Sequence, residues 1–430
     1  MAICGIELVQ ALVIMLAPFN FGMIIIYPSP AGAEIRGHYK LSSNSFEWSF
    51  YNSVSCLFAI AGPFLTTFLL KLFHGQRKKT VFVIDCLAIA FWLLNYLTKV
   101  NIWAGIIVRA FLGITMGAFS SIGPMYLVEI SPRDSTGFFG TLNQIAIVVG
   151  QAFTNFIGSS LNYLNLNFVG AGIGALQAVL IWFIKESPVY NKNKAEQEKA
   201  INVRSESKPK FLTKDNIKNL VVGVALFFFQ QFAGINGILT NLSDIMSSAG
   251  LNIDPNYQAG IATLAQLVAA FIASFIIDRL GRKNVWCISS ASAAVFLLIF
   301  ALNEKFKWSN VLPLIMIFLY QLGFGLGLGP IAWFLVSEIF DDDSRAMATM
   351  ICTITNWCFA FIIILVFPQM ESSMGLFGAL MLFFVVCVGS LFFGIFMIKE
   401  PKKVDHLVEQ SDSEASSDEN KEDDAEPTEI

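Results

Sequence analysis

Residues 135–184 read STGFFGTLNQIAIVVGQAFTNFIGSSLNYLNLNFVGAGIGALQAVLIWFI, fifty positions without a single Asp, Glu, Lys or Arg. A bilayer core about 30 Å thick is crossed by roughly 20 apolar helical residues. The stretch is therefore too long for one crossing and must fold back on itself. The polar group Asn162-Tyr163-Leu164-Asn165 is the place expected for that turn. Membrane strands alternate polar and apolar and are about half as long, so two helices are expected.

The rest of the chain has the same character. Of its 430 residues 55% are hydrophobic and 14% charged, where a soluble protein carries about a quarter charged. Stretches bounded by charge run near 8–27, 48–70, 80–98, 101–127, 137–160, 166–184, 219–241, 257–277, 284–302, 311–337, 346–368 and 374–398. Twelve crossings follow. No Lys or Arg precedes the first run, so it is read as a retained helix rather than a cleaved signal. The seven cysteines lie in or beside apolar runs without a Cys-x-x-Cys pair and read as small buried hydrophobes.

Lys and Arg orient the chain. Twenty-two lie on one face, nine of them in the loop 185–218, against five on the other. Both termini and the central loop are expected in the cytoplasm. The loop divides the chain into a six-helix half, 1–184, and a second, 219–400. Residues 401–430 form an acidic tail; eleven Asp or Glu fall within 404–430, and such a segment cannot bury enough surface to fold.

The halves echo each other. Lys71 to Lys79 after the second span corresponds to Asp278-Arg279-Leu280-Gly281-Arg282-Lys283 after the eighth. Glu129-Ile130 with Ser135 corresponds to Glu338-Ile339 with Ser344. Repeated halves that hold substrate between them near the midplane are the plan of alternating-access transporters.

Several motifs carry a resemblance. They are Pro124-Met125-Tyr126 through Glu129-Ile-Ser-Pro132, Gly140-Thr141-Leu142-Asn143-Gln144, Glu186-Ser187-Pro188, Gln230-Gln231-Phe232-Ala233-Gly234-Ile235-Asn236, Gly329-Pro330-Ile331-Ala332-Trp333, and Asn356-Trp357. In this order and spacing the chain resembles the sugar porter family of the major facilitator superfamily, the facilitative hexose transporters, over about residues 15–400. The resemblance implies an all-α membrane protein of twelve transmembrane helices in two six-helix pseudo-repeat halves. It implies that Gln144, Gln230, Gln231, Asn236 and Asn356 coordinate sugar and that Trp333 supplies an aromatic face. The chemistry agrees: a hydroxyl both donates and accepts, as a neutral amide does. The plainer alternative is that these amides join helices. On an ideal helix Gln231 and Asn236 are about 140° apart, so they share a face only if Gly234 kinks the seventh span.

Arg109 lies deep in the fourth span, where an unpaired charge costs about 3 kcal/mol. Asp85 is about 10 Å away in depth by helical rise, so a direct pair is not expected; Arg109 is read as structural or gating. Glu129, Asp278, Arg279, Arg282, Glu338 and Arg345 are expected to form salt bridges between the halves on the basic side. The first half departs from the family here: Thr136 replaces an Arg and Val189 another. Its side of the network is weaker unless Arg133 or Arg77 substitutes.

Proton-coupled relatives in the family carry an acid in the first span. Here Phe21-Gly22-Met23-Ile24 has none, nor is there one between residues 8 and 33, so downhill uniport is favoured. A proton-coupled sugar or polyol symporter and a non-transporting sugar sensor are the alternatives. Thr240 and Asn241 stand where aromatics are usual, and Gly325 where an acid is usual, so the outer gate and the sugar stay open. The glycine repeats at 170–174 and 323–329 lie within spans and follow no strand, so they do not bind nucleotides. No metal cluster, cofactor site or nucleophile–base set is evident, so an enzyme is not expected. The expected partners are a sugar and membrane lipid, not nucleic acid, and the chain is expected to work as a monomer in the plasma membrane.

Overall fold

The computed structural model describes residues 5–132, 136–190, 213–340 and 342–400. Residues up to Ile398 form one compact unit. Most of the central loop and the tail beyond residue 400 lie outside the described residues, as does Arg133.

The first half contains α1 (Gly5–Tyr39), α2 (Phe46–Leu72), α3 (Arg77–Lys99), α4 (Ile102–Ile130), α5 (Thr136–Gly158) and α6 (Tyr163–Phe183). The second contains α7 (Lys214–Phe232), α8 (Ile235–Thr240), α9 (Leu242–Ala249), α10 (Pro255–Leu280), α11 (Arg282–Phe306), α12 (Leu312–Leu326), α13 (Leu328–Glu338) and α14 (Asp342–Met397). Among the described residues ten helical runs are long and apolar enough to cross a membrane. The twenty-three-residue α5 is not among them, because Asn143, Gln144, Gln151 and Asn155 make it more polar. α14 is fifty-six residues long and turns at Gly375, whose φ of 72° and ψ of 166° are not helical. It crosses twice. Together with α5 this gives the expected twelve.

The starts of the helices are written in short polar side chains. Ser45, Asn101, Asn162, Thr213 and Asp254 each accept from a backbone N–H in the first turn that follows, satisfying donors that a helix cannot bond itself. Asn162 makes the turn expected within 135–184: its Oδ1 accepts from Asn165 N at 2.8 Å. The first crossing differs from expectation. Its helical run does not stop near residue 27 but continues through Pro28 and Pro30 to Tyr39. Proline at the first positions of a helical segment loses no hydrogen bond, so Pro28 opens a new turn instead of ending the span.

An even number of crossings returns the chain to the end where it began, the end that carries Arg77, Glu129, Arg282 and Glu338. We call this the basic end and its opposite the far end. The halves meet where α5 packs on α10 and α2 on α14. Within the first half α1 and α5 run side by side at backbone contact: a Cβ on Gly22 would lie 2.2 Å from Ile147 O.

At the far end the halves are joined by polar side chains. Ser29 and Ser243 hydroxyls are 2.9 Å apart. Arg36 Nη2 donates to Asp244 Oδ1 at 2.8 Å, and its guanidinium lies 4.9 Å from the centre of the Trp48 ring. Asn52 Nδ2 donates to Asn241 Oδ1 at 3.4 Å. Asn44 Nδ2 donates to Ser372 Oγ at 2.8 Å.

Candidate functional site

The seventh crossing is broken where its sequence requires it. Gly234 has φ 95°, a left-handed conformation open to glycine and costly to other residues. It separates α7 from α8. The carbonyl freed at Ala233 accepts from the buried Tyr320 hydroxyl at 2.9 Å. The break rotates Asn236 toward Gln231, and Asn236 Nδ2 donates to Gln231 Oε1 at 2.6 Å. Gln231 Nε2 in turn donates to Asn356 Oδ1 on α14 at 2.7 Å. Three of the expected amides are thus one hydrogen-bonded set. Beside it, Trp357 meets Phe21 of α1 edge-on, ring centres 5.9 Å apart, so the set lies at the seam of the two halves. Trp357 Nε1 is buried without a partner among the described residues.

Gln230 has a different place. Its Nε2 donates to Leu328 O at 3.0 Å and Gly329 O at 2.7 Å, across the break between α12 and α13. Ser289 completes that break: its hydroxyl donates to Gly323 O at 2.7 Å and accepts from Leu328 N at 2.8 Å. The nitrogen of Gln230 is therefore committed to main chain, the helix-joining role, and stands outside the amide set. Trp333 follows on α13. It is 40% exposed, and its ring meets Phe227 at 4.6 Å, edge to face.

Gln144 lies on α5 in the first half. It is exposed and makes no hydrogen bond among the described residues. Its helix presents Phe138, Ile145, Val149 and Phe156 on one apolar side, by their spacing of 7, 4 and 7. Gln144, Gln151 and Asn155 line a second stripe about 120° away at 100° per residue. Exposure falls along that stripe: Gln151 is 6% exposed and Asn155 0%. On this stripe burial therefore increases from the basic end toward the far end. Gln151 and Asn155 were not singled out in the sequence, although their offsets of 7 and 11 from Gln144 are the signal that finds them. Gln266 and Gln321 were missed too. They pair between α10 and α12 at 2.9 Å, residues far apart in sequence with no pattern to link them.

Arg109 is fully buried. Nη1 donates to Ile24 O at 2.8 Å and Nη2 to Ser55 Oγ at 3.1 Å. The guanidinium sits 5.6 and 5.7 Å from the ring centres of Tyr27 and Tyr51. Asp85 is buried apart from it, with neither oxygen hydrogen-bonded among the described residues.

At the basic end two described ion pairs lie within the halves. Arg77 pairs with Glu129 at 2.7 Å inside the first half, and Arg282 with Glu338 at 2.9 Å inside the second. Each motif arginine reaches the carboxylate at the end of its own half's fourth helix, because both lie at one end of the same bundle. Arg279 is exposed, and Arg345 donates to Phe340 O at 3.3 Å. The side chain of Asp278 lies outside the described residues. A cavity of about 570 Å³ at this end, lined by Ile6, Gln10, Lys78 and Glu186 among others, belongs to the first half alone and contains none of the amides.

Two pseudo-repeat helical halves, with neutral amides gathered at their seam and broken helices beside them, are the build of a major facilitator transporter. The chain belongs to the family described as Sugar (and other) transporter, which it matches over residues 9–219 and 204–410. It is similar to the facilitated trehalose transporter Tret1 of Bombyx mori, 27% identical over 92% of this chain and 84% of that one. It is 26% identical to Tret1 of Polypedilum vanderplanki, over 92% and 85%. In fold it matches the D-xylose-proton symporter with a TM-score of 0.77 at 21% identity, covering 91% of this chain and 98% of that one. An inward-open structure of the xylose transporter XylE from E. coli matches with a TM-score of 0.78 at 19% identity, over 93% and 98%.

Proposed function

We propose that this chain is a facilitative sugar carrier of the hexose type, working by alternating access with its basic end and both termini in the cytoplasm. The observation that carries the reading is the set Gln231, Asn236 and Asn356, assembled by the break at Gly234 where the halves meet. Amides in this position cost stability unless something bonds them, and hydroxyls suit them. In this reading Gln144 joins the site from the first half, and Trp333 supplies its aromatic face. Transport exchanges the present arrangement, joined at the far end, for one in which Ser29–Ser243 and Arg36–Asp244 part. The plasma membrane and a monomeric unit complete this reading.

Downhill transport is supported by the first crossing. The charge of Arg109 is met by a carbonyl and two tyrosine faces, and not by an acid that a proton could neutralise. The curated relatives named above are facilitated transporters as well. Proton coupling, the second reading, has Asp85 in its favour: a deep carboxyl without a described partner. Purified protein in liposomes, given radiolabelled glucose with and without a pH gradient, separates the two. Uptake indifferent to the gradient supports uniport. Accumulation above equilibrium that collapses with the gradient overturns it. No uptake and no binding of any neutral sugar overturns the carrier reading altogether.

A further inference from the structure

The cavity at the basic end is built by helix ends that hold one another. Lys78, in the first turn of α3, donates from Nζ to Trp182 O at 3.0 Å and to Ile184 O at 2.7 Å, carbonyls at the end of α6. Glu186 answers from the segment that follows: its Oε1 accepts from Arg77 N at 3.0 Å and its Oε2 from Lys78 N at 3.3 Å. Tyr126 of α4 donates to Lys185 O at 2.8 Å. Residues 184–186 are therefore pinned to two helices, and the start of α1 completes the wall with Ile6, Glu7 and Gln10. About 570 Å³ stays open among them, within the about 300–1,000 Å³ of small-ligand sites.

The polar groups of this wall are not used up by the protein. Gln10 is only 7% exposed, yet it makes no hydrogen bond among the described residues. A buried amide left unbonded is costly, and this one lines a cavity. Glu7 and Lys185 line it too and have no ion pair among the described residues. Lys78 has one N–H donor beyond the two engaged by carbonyls. The charges balance, Lys78 and Lys185 against Glu7 and Glu186. A ligand of one sign alone would meet a like charge here, whereas a zwitterion would not. Phosphate suits the two ammonium groups, and a primary amine suits a carboxylate and an amide oxygen. The surroundings favour a lipid as its source. Ile6 at the rim is 57% exposed, and Val9 and Leu12 farther along α1 and Phe183 next to Ile184 are exposed as well. Such apolar surface at the end of membrane spans is what acyl chains cover.

We propose that this cavity binds the head group of a phospholipid with a primary amine, of the ethanolamine type, from the leaflet at the basic end. Its phosphate lies at Lys185 and Lys78 and its amine at Glu7 and Gln10. No residue of the Gln231, Asn236 and Asn356 set takes part, so the site is independent of the sugar carried. A choline head group has the same net charge, but its methylated nitrogen donates no hydrogen bond, which makes it the discriminating control.

The test uses purified full-length protein and counts retained lipid by native mass spectrometry. The probes are chain-matched phosphatidylethanolamine, phosphatidylcholine and phosphatidylglycerol. Wild-type protein should retain the ethanolamine lipid at about tenfold lower concentration than the choline lipid, the effect of losing hydrogen bonds to a charged amine, and in preference to phosphatidylglycerol. Gln10→Leu should bring the ethanolamine and choline lipids close to parity. Glu7→Gln should do the same, and since no described bond holds Glu7 this variant keeps the test valid if Gln10→Leu does not fold. Equal retention of the two lipids by wild type overturns the proposal, as does an undiminished preference in Glu7→Gln. Tightest retention of phosphatidylglycerol overturns the assignment of the amine. Displacement of the bound lipid by an equal concentration of soluble phosphoethanolamine overturns the lipid source.

Discussion

Asn236 Nδ2 donates to Gln231 Oε1 over 2.6 Å, although five residues on an unbroken helix would set their side chains about 140° apart. The left-handed Gly234 between them removes that angle. A local backbone property therefore builds the polar site, and the two amides become a single unit with Asn356.

Replacing Gly234 tests this directly. The left-handed conformation costs other residues about 1–2 kcal/mol, and a Cβ there would lie 2.3 Å from Phe383 Cδ2. Gly234→Ala is expected to abolish saturable sugar uptake while lowering the melting temperature in detergent by several degrees. Wild-type uptake by this variant would show that the break does not build the site.

Gln231 and Asn356 are expected to act as one group. Gln231→Ala and Asn356→Ala should each raise the KM for transported sugar. The double variant should fall short of the sum by about 0.5–3 kcal/mol, the range for directly bonded neighbours. A double-mutant cycle on sugar affinity measures this; strict additivity would mean that the bond seen here is absent when sugar binds.

The far-end junction should have to open in every cycle. Ser29 and Ser243 hydroxyls are 2.9 Å apart, so Ser29→Cys with Ser243→Cys should crosslink under oxidation and stop uptake. Reductant should restore it. Crosslinked protein that still transports at the reduced rate would show that this contact does not part during the cycle.

Arg109 should not be replaceable by lysine. Its planar fork reaches Ile24 O and Ser55 Oγ at once and lies against Tyr27 and Tyr51, geometry a single ammonium does not reproduce. Arg109→Lys should lose about 1–3 kcal/mol of stability, the worth of bonds to a charged donor. Thermal unfolding in detergent, read against wild type, checks it. Equal melting temperatures would remove the structural role assigned here.

Much of the fold was legible in the chain because lipid imposes a strict length and composition on every crossing. The fifty uncharged residues 135–184 had to turn, and Asn162 supplied both the polarity and the cap. The amides Gln231, Asn236 and Asn356 were visible as polar groups out of place in apolar runs. Which charges pair was not legible: Arg77 and Arg282 each close on a carboxylate of their own half, a choice of partner that helix packing makes.

By itself the sequence determined how often the chain crosses and which polar residues lie in the membrane, since hydropathy and helix length are properties of consecutive residues. The tertiary structure alone decided which of them meet. Gln230 and Gln231 are neighbours in the chain, but one bonds main chain at a helix break and the other bonds Asn356, 125 positions away. The reason is physical: a hydrogen bond depends on direction and on a few tenths of an ångström, and those are set by how helices pack and where glycine lets them break.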